Sequence, residues 1–157
     1  GLADFIAAAD PDVLCLQETK CETAVASTLG LAFPHQFWHE AEKKGYSDAM
    51  MLDWQGRVAE CTGANIFFTK DGQIHTPIAD CFLNGITRQT VIALAKKHGM
   101  TVNERRIMPE EMKGFNECFI VGSAAEVTPV KEIGPYTFTP GNMSRALMDA
   151  YTKEVRG

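Results

Sequence analysis

The segment Ala64-Asn65-Ile66-Phe67-Phe68-Thr69-Lys70-Asp71-Gly72-Gln73 decides the fold. Its first six residues are rich in apolar, aromatic and β-branched side chains, which favour a strand. The Asp-Gly pair that follows is typical of the two-residue turn of a β-hairpin. Residues 64–73 therefore predict a strand that turns directly into an antiparallel neighbour.

Elements on both sides of this hairpin extend the pattern. An apolar strand over 49–52 and a turn over 53–57 precede the hairpin, so this part of the chain predicts a β-meander. After the hairpin, apolar residues at helical spacing predict a helix from Thr87 to His98, and Gly99 ends it. The remaining predicted elements are strands over 101–107 and 117–122, a short helical turn near 109–112, and a closing helix over 143–155 capped by Asn142 or Ser144.

The first 46 residues differ in character from the rest. Helices are predicted over 2–9 and 22–29, and the strand over 13–16 is apolar on both faces, so it must be buried. Residues 30–42 are aromatic and rich in histidine, and they predict an irregular segment. His35 and His39 would share a face only on a helix, and two imidazoles do not make a metal site.

Composition excludes several classes of protein. A length of 157 residues with 45% hydrophobic and 22% charged residues is that of one soluble globular domain. The net charge of -5 disfavours a general nucleic-acid-binding protein, and no apolar run is long enough to span a membrane. The five cysteines are odd in number and scattered, which fits free thiols in a reducing cytoplasm.

Four blocks of sequence from about residue 45 onward resemble one known family. They are GYSDAMMLD (45–53), VAECTGANIF (58–67), GITR (85–88) and GSAAEVTPV (122–130). In this order they resemble the C-terminal domain of class IV pyridoxal-phosphate aminotransferases, and most closely the bacterial branched-chain aminotransferases. The resemblance implies a mixed α/β fold, a sheet with flanking helices, and an ancestral transfer of amino groups between branched-chain amino acids and 2-oxoglutarate.

The same resemblance implies roles for individual residues. Glu60 matches the glutamate that keeps the cofactor ring nitrogen protonated, and the segment at Ile86 and Thr87 matches the one that holds the cofactor phosphate. Ser123 matches a second phosphate donor, and the amides of Ala124 and Ala125 match those that meet the substrate carboxylate. From the residues alone other interpretations remain: Glu60 as a solvent-facing carboxylate, Thr87 as a simple helix cap, and the alanines as packing residues.

One residue that this chemistry needs is missing from the matching position. The family anchors pyridoxal phosphate covalently to a lysine amine, and counting back by family spacing leads to a position near Ala26. The nearest lysines are Lys20, Lys43 and Lys44, and none of them matches. The family's phosphate-clamping arginine is expected to be absent with the small domain. The resemblance therefore implies a catalytically incomplete chain that binds the cofactor non-covalently at best.

A second resemblance concerns the first part of the chain. DPDVLCLQETKC (10–21), HQFW (35–38) and KGYS (44–47) resemble the exonuclease III type of apurinic endonuclease. That resemblance makes Glu18 a magnesium ligand. One carboxylate holds Mg²⁺ weakly, so a functional Mg²⁺ site is not expected.

These observations divide the chain into an endonuclease-like segment, residues 1–46, and an aminotransferase-like domain, residues 47–157. Three hypotheses follow: an aminotransferase-like domain that binds an amino acid or a small phosphate without turnover, a non-catalytic chimeric folding unit, and a magnesium-dependent DNA-cleaving fragment. No membrane or nucleic-acid partner is expected. The sequence leaves a homo-oligomer open.

Overall fold

A computed structural model describes residues 34–157 of the chain. The elements predicted over 2–9, 13–16 and 22–29 lie outside these described residues. The first described element is helix α1, Pro34–Lys43, so the prediction of an irregular segment over 30–42 is wrong from Pro34 onward. Proline fits the first position of a helix because the N–H that it lacks would have no partner there. Pro34 therefore starts a helix instead of preventing one.

The other elements predicted within 34–157 are present, most with small shifts at their ends, but the strand predicted over 101–107 covers only Val102–Glu104. Among residues 34–157 the strands are β1 (Met50–Leu52), β2 (Val58–Cys61), β3 (Asn65–Lys70), β4 (Gln73–Thr76), β5 (Val102–Glu104), β6 (Glu117–Gly122), β7 (Glu126–Val130), β8 (Glu132–Ile133) and β9 (Tyr136–Thr137). The helices after α1 are α2 (Ile86–Lys97), a 3-10 helix (Pro109–Gly114) and α3 (Asn142–Arg156). The fold is mixed α/β, as predicted.

Strand β3 is the central strand of a five-stranded sheet with the order β5-β4-β3-β6-β7. The turn between β3 and β4 is the predicted hairpin, in which Asp71 and Gly72 have φ angles of 50° and 72°. Both angles are positive, as the favoured two-residue hairpin turn requires. Strands β4 and β5 are parallel, and α2 makes the crossover between them. A crossover helix runs back along the sheet, so α2 begins at the end where β4 finishes.

The predicted meander is only partly correct, because β1 and β2 form a separate two-stranded sheet. The Asp48 side chain fixes the backbone just after the end of β2. Its Oδ1 accepts hydrogen bonds from the backbone N–H of Thr62, at 3.2 Å, and from the Thr62 hydroxyl. These bonds hold the bend between β2 and β3, which sends the chain from the small sheet into the large one.

Side chains of β3 point alternately to two cores, one on each face of the large sheet. Phe68 packs toward the 3-10 helix and stacks on Phe115 with ring centroids 4.6 Å apart. Phe67 points to the side of α2 and α3 and stacks on Phe119 at 5.1 Å. Burial on both faces explains why Ile66, Phe67 and Phe68 form a continuous apolar run in β3 instead of alternating with polar residues. None of the helices within 34–157 has the length and apolar character to cross a membrane.

The start of α3 corrects a further prediction. Neither Asn142 nor Ser144 is the N-cap, which is Gly141. The acceptor that serves the first turn is instead the Glu117 carboxylate, at the beginning of β6. A carboxylate from a neighbouring strand satisfies N–H groups at a helix start as a capping side chain would.

Candidate functional site

Three segments of the domain meet at one end of the large sheet. Asn65 begins β3 and lies opposite Val121, near the end of β6. A Cβ atom added at Gly122 would lie 3.1 Å from the carbonyl oxygen of Gly63, so the loops that precede β3 and follow β6 approach closely. The start of α2 joins them through Asn65. This end of the sheet therefore gathers the blocks that the sequence had separated.

Asn65 connects the carboxylate of β2 to the segment that precedes α2. Its Nδ2 donates a hydrogen bond to Glu60 Oε2 at 3.1 Å and another to the carbonyl oxygen of Leu83 at 2.9 Å. Only 5% of Asn65 is exposed. Its Oδ1 lies 2.7 Å from where a Cβ atom at Gly85 would stand, so glycine permits this close approach. Sequence reasoning gave Asn65 no role, although a polar residue that opens an apolar strand is a usable signal.

Glu60 is a half-buried carboxylate with one oxygen free for a ligand. Burial raises its pKa to about 7, because desolvation disfavours the charged form. Asn65 occupies Oε2, and none of the described residues donates a hydrogen bond to Oε1. Glu60 also lines a cavity of about 290 Å³ whose apolar wall includes Met51, Trp54 and Phe82. A cationic ring N–H brought to Oε1 would stabilise the ionised carboxylate, and the carboxylate would in turn keep that nitrogen protonated.

The start of α2 presents N–H groups without intrahelical partners. Gly85 is the N-cap, it provides no side-chain cap, and the first turn carries no acidic residue. Ile86 and Thr87 are the first two residues of the helix, so their backbone N–H groups have no acceptor in the preceding turn. Thr87 therefore lies inside the helix and is not its cap. An anion at this position would be stabilised by these N–H groups and by the helix dipole.

Ser123, Ala124 and Ala125 form the turn between β6 and β7. Ser123 and Ala124 are exposed and Ala125 is half-buried, while Glu126, which ends the turn, has a φ angle of 50°. A positive φ is unfavourable for glutamate. The turn follows Gly122 directly, so its hydroxyl and amides lie at the end of the sheet where Asn65 and Gly63 are found.

The described residues contain no candidate metal site. Glu18 lies outside the described residues. Within 34–157, no group of three or more histidine, cysteine or acidic residues is placed to hold a metal ion, and His39 is paired with Glu42 at 3.5 Å.

The three cysteines within 34–157 are free thiols: Cys61 and Cys118 are buried and Cys81 is exposed. Burial raises the pKa of Cys61 and of Cys118 far above the ordinary value.

Comparison with known proteins gives the site a family context. The family model described as amino-transferase class IV matches residues 13–133. A probable branched-chain-amino-acid aminotransferase of Rickettsia bellii is 45% identical over 122 residues, which are 75% of this chain and 42% of that protein. The branched-chain-amino-acid aminotransferase of Pseudomonas aeruginosa is 44% identical over 121 residues, 75% of this chain and 39% of that protein.

Solved structures agree with the sequence relatives. The branched-chain aminotransferase of Thermoproteus uzoniensis, crystallised with norvaline, has a TM-score of 0.75 and 37% identity, covering 78% of this chain and 41% of that one. A Brucella abortus aminotransferase bound to pyridoxal phosphate has a TM-score of 0.75 and 27% identity, covering 86% of this chain and 47% of that one. The chain spans about two fifths of the length of the curated relatives that it matches.

Proposed function

The chain belongs to the amino-transferase class IV family, and from this premise we propose that residues 47–157 are a pyridoxal-phosphate-binding domain of the branched-chain aminotransferase type. The observation that carries the proposal is the pair of hydrogen bonds from Asn65. Through them one buried amide sets a half-buried carboxylate and a helix start at fixed positions relative to each other. A rigid ligand with a basic ring nitrogen at one end and a phosphate at the other would place its nitrogen at the carboxylate and its phosphate at the helix start.

The residues present fit such a ligand. Glu60 Oε1 has no hydrogen-bond partner among residues 34–157 and would accept a hydrogen bond from the protonated ring nitrogen. The N–H groups of Ile86 and Thr87, and the hydroxyls of Thr87 and Ser123, would hold the phosphate. When bound, pyridoxal phosphate supplies a ring that withdraws electrons from an attached amino acid.

The substrate side of the site is proposed at the turn after β6. The backbone N–H groups of Ala124 and Ala125 would receive the carboxylate of a branched-chain amino acid, because methyl side chains let a ligand approach the main chain. Leu83 is an apolar residue with 76% of its surface exposed. Its side chain would pack on a flat ring without forming hydrogen bonds to the polar atoms of that ring. The ligands are therefore a small amino acid and a phosphorylated ring.

We also propose that this chain binds the cofactor without a covalent anchor. No lysine occurs at the matched position near Ala26, and the neighbouring lysines are Lys20, Lys43 and Lys44. Lys43 ends α1 and is ion-paired with Glu40 at 2.9 Å, in an exposed pair on the helix surface. Transfer of amino groups would then be incomplete in this chain, since the lysine that moves the proton is missing.

A titration with pyridoxal phosphate tests both parts of the proposal. Saturable binding seen by absorbance, weakened in Glu60→Ala, is the expected result. Borohydride treatment followed by intact-mass measurement should leave no stoichiometric adduct. Absence of saturable binding would remove the proposed function. A single adduct that maps to Lys20, Lys43 or Lys44 would instead show that another lysine serves as the anchor.

The division of the chain at residue 46 is a second proposal. Tyr46 donates a hydrogen bond from its hydroxyl to Glu132 Oε1 at 2.9 Å, which attaches the end of the first segment to the domain. If residues 1–46 only cover the domain, residues 47–157 produced alone should still bind pyridoxal phosphate, with a lower melting temperature. Loss of binding in that fragment would show that the first segment belongs to the site.

Two finer predictions stay open to direct tests. The magnesium-dependent endonuclease rests on the resemblance of residues 10–21, and cleavage of abasic duplex DNA that requires both Mg²⁺ and Glu18 would support it. A reducing compartment is proposed because the three described cysteines are free thiols. Fractionation of the source cells would test that location.

A further inference from the structure

The segment between β4 and α2 sets the direction of the N–H groups at the helix start, and it has no regular structure of its own. Residues 77–85 contain neither helix nor strand. Their internal backbone bonds are short-range, from Asp80 N–H to the Ile78 carbonyl and from Gly85 N–H to the Leu83 carbonyl, each 2.9 Å. Such bonds shape local turns but do not fix the segment to the sheet. Contacts from outside must do so.

Arg88 supplies two of those outside contacts. Its Nη2 donates to the carbonyl oxygen of Pro77 at 2.8 Å, and its Nη1 donates to Asn84 Oδ1 at 2.7 Å. One guanidinium thus holds both ends of the segment. The same Nη2 pairs with Glu104 Oε2 on β5 at 2.8 Å, which connects the segment to the edge of the sheet. Gln89 also donates from Nε2 to the Asn84 carbonyl oxygen at 2.9 Å, and Arg106 is ion-paired with Asp80 at 3.0 Å.

The burial of the Arg88 guanidinium has a free-energy cost, so its contacts are an inefficient way to stabilise the fold. Arg88 is 1% exposed, although the Glu104 side chain that balances its charge is 43% exposed. Among the described residues its Nε–H has no hydrogen-bond partner. Removing a guanidinium from water is costly, and an unpaired buried donor adds to that cost. Replacement of a buried ion pair by well-packed apolar side chains is often neutral or stabilising in proteins. The two donors that this buried arginine presents to Pro77 and Asn84 therefore point to a geometric role.

We infer that Arg88 is a positioning residue for phosphate binding: its fork holds Pro77 and Asn84 so that the N–H groups of Ile86 and Thr87 face one point. This inference rests on the proposed function for the identity of the anion. It does not place Arg88 in contact with the ligand. Asn65 also holds this segment, through its hydrogen bond to the carbonyl oxygen of Leu83.

The matched test compares Arg88→Lys with Met112→Ala in the full chain. Lysine keeps the charge but cannot present two donors in a fixed fork. Met112 is 3% exposed in the core on the other face of the sheet, so its truncation lowers stability without touching the segment. We expect Arg88→Lys to speed amide hydrogen exchange in residues 78–86 and to weaken pyridoxal phosphate binding about tenfold. Met112→Ala should leave both unchanged relative to global stability.

Asn84→Ala provides a milder variant in case Arg88→Lys does not fold. Asn84 is exposed, so its truncation removes one contact of the fork without a core defect. Faster exchange in residues 83–86 is expected. If exchange in the segment matches that of Met112→Ala for both variants, the inference is overturned whatever the ligand. If exchange rises as expected but the parent protein does not bind pyridoxal phosphate, the proposed function fails and the positioning role stands.

Discussion

The carboxylate of Glu117, on β6, accepts a hydrogen bond from the hydroxyl of Ser144, on α3, with 2.5 Å between Oε2 and Oγ. Oε2 of the same carboxylate also accepts hydrogen bonds from the backbone N–H groups of Gly141, at 2.9 Å, and of Ser144, at 3.0 Å. A negative charge is thereby placed at the positive end of the helix dipole. One side chain of the sheet both caps α3 and fixes it to the sheet.

Glu117→Gln should lower the free energy of unfolding by about 1–3 kcal/mol, because an uncharged amide makes weaker hydrogen bonds to the helix start and its NH₂ group meets donors. Chemical denaturation at neutral pH measures the loss. Glu154→Gln, an exposed change near the other end of α3, is the matched control and should shift stability by less than about 0.5 kcal/mol.

The pH dependence gives an independent check of this capping carboxylate. Burial opposes ionisation of Glu117, but the hydrogen bonds from Ser144, Gly141 and Met143 outweigh burial and lower its pKa below the ordinary 4.5. The stabilisation is therefore complete above pH 4.5 and is lost as the pH falls through the lowered value. Glu117→Gln should remove this part of the acid sensitivity. An unchanged acid profile would contradict the assignment.

Glu60 should act on stability in the opposite direction. Its pKa is raised by burial to about 7 in the folded protein, against an ordinary 4.5, so the folded state holds the proton more tightly than the unfolded state. Stability contributed by the neutral carboxyl is thus present below pH 4.5 and declines as the pH rises to about 7. Melting temperatures of the parent and of Glu60→Gln, measured from pH 4.5 to 8, should converge at low pH and separate above it, with the glutamine variant more stable. Parallel profiles would rule out a raised pKa.

Gly85→Ala should destabilise the protein because the added Cβ atom would crowd Asn65. The backbone conformation of Gly85 is not the cause. Gly85 has a φ angle of -59°, which any residue adopts, but its Cβ would stand 2.7 Å from Asn65 Oδ1. Crowding of this size costs about 1–3 kcal/mol, and displacement of Asn65 should also weaken pyridoxal phosphate binding. Gly63→Ala is the control, because a Cβ there meets no atom within 4 Å. Equal stability of the two variants would show that Asn65 moves freely.

Ser123→Asp should weaken binding of inorganic phosphate and of pyridoxal phosphate about tenfold, since a carboxylate would repel the anion from the start of α2. Calorimetry measures both affinities. Thr101→Asp adds the same charge at an exposed position before β5, at the opposite end of the sheet, and should leave them unchanged. Equal affinities in all three proteins would place the anion elsewhere.

The sequence was sufficient to predict those elements that depend only on residues adjacent along the chain. The Asp71-Gly72 turn, the apolar run of β3 and the amphipathic spacing of α2 each depend on neighbouring residues, and all three were predicted close to their observed bounds. Helix α1 was not predicted, because Pro34 and the aromatic pair Phe37-Trp38 favour a packed loop. The resemblance named Glu60, Ile86, Thr87 and Ser123 as site residues but said nothing of what holds them.

Tertiary structure decided the contacts between residues that are distant along the chain. The cap of α3 was expected from Asn142 or Ser144, and it comes from Glu117 because sheet pairing places β6 under the helix start. Asn65 and Arg88 received no role from the sequence, since their partners at Leu83 and Pro77 become neighbours only when α2 crosses back over the sheet. Hydrophobic periodicity determines which faces are buried. It does not determine which buried polar group meets which, because that choice depends on strand register and on the path of the crossover.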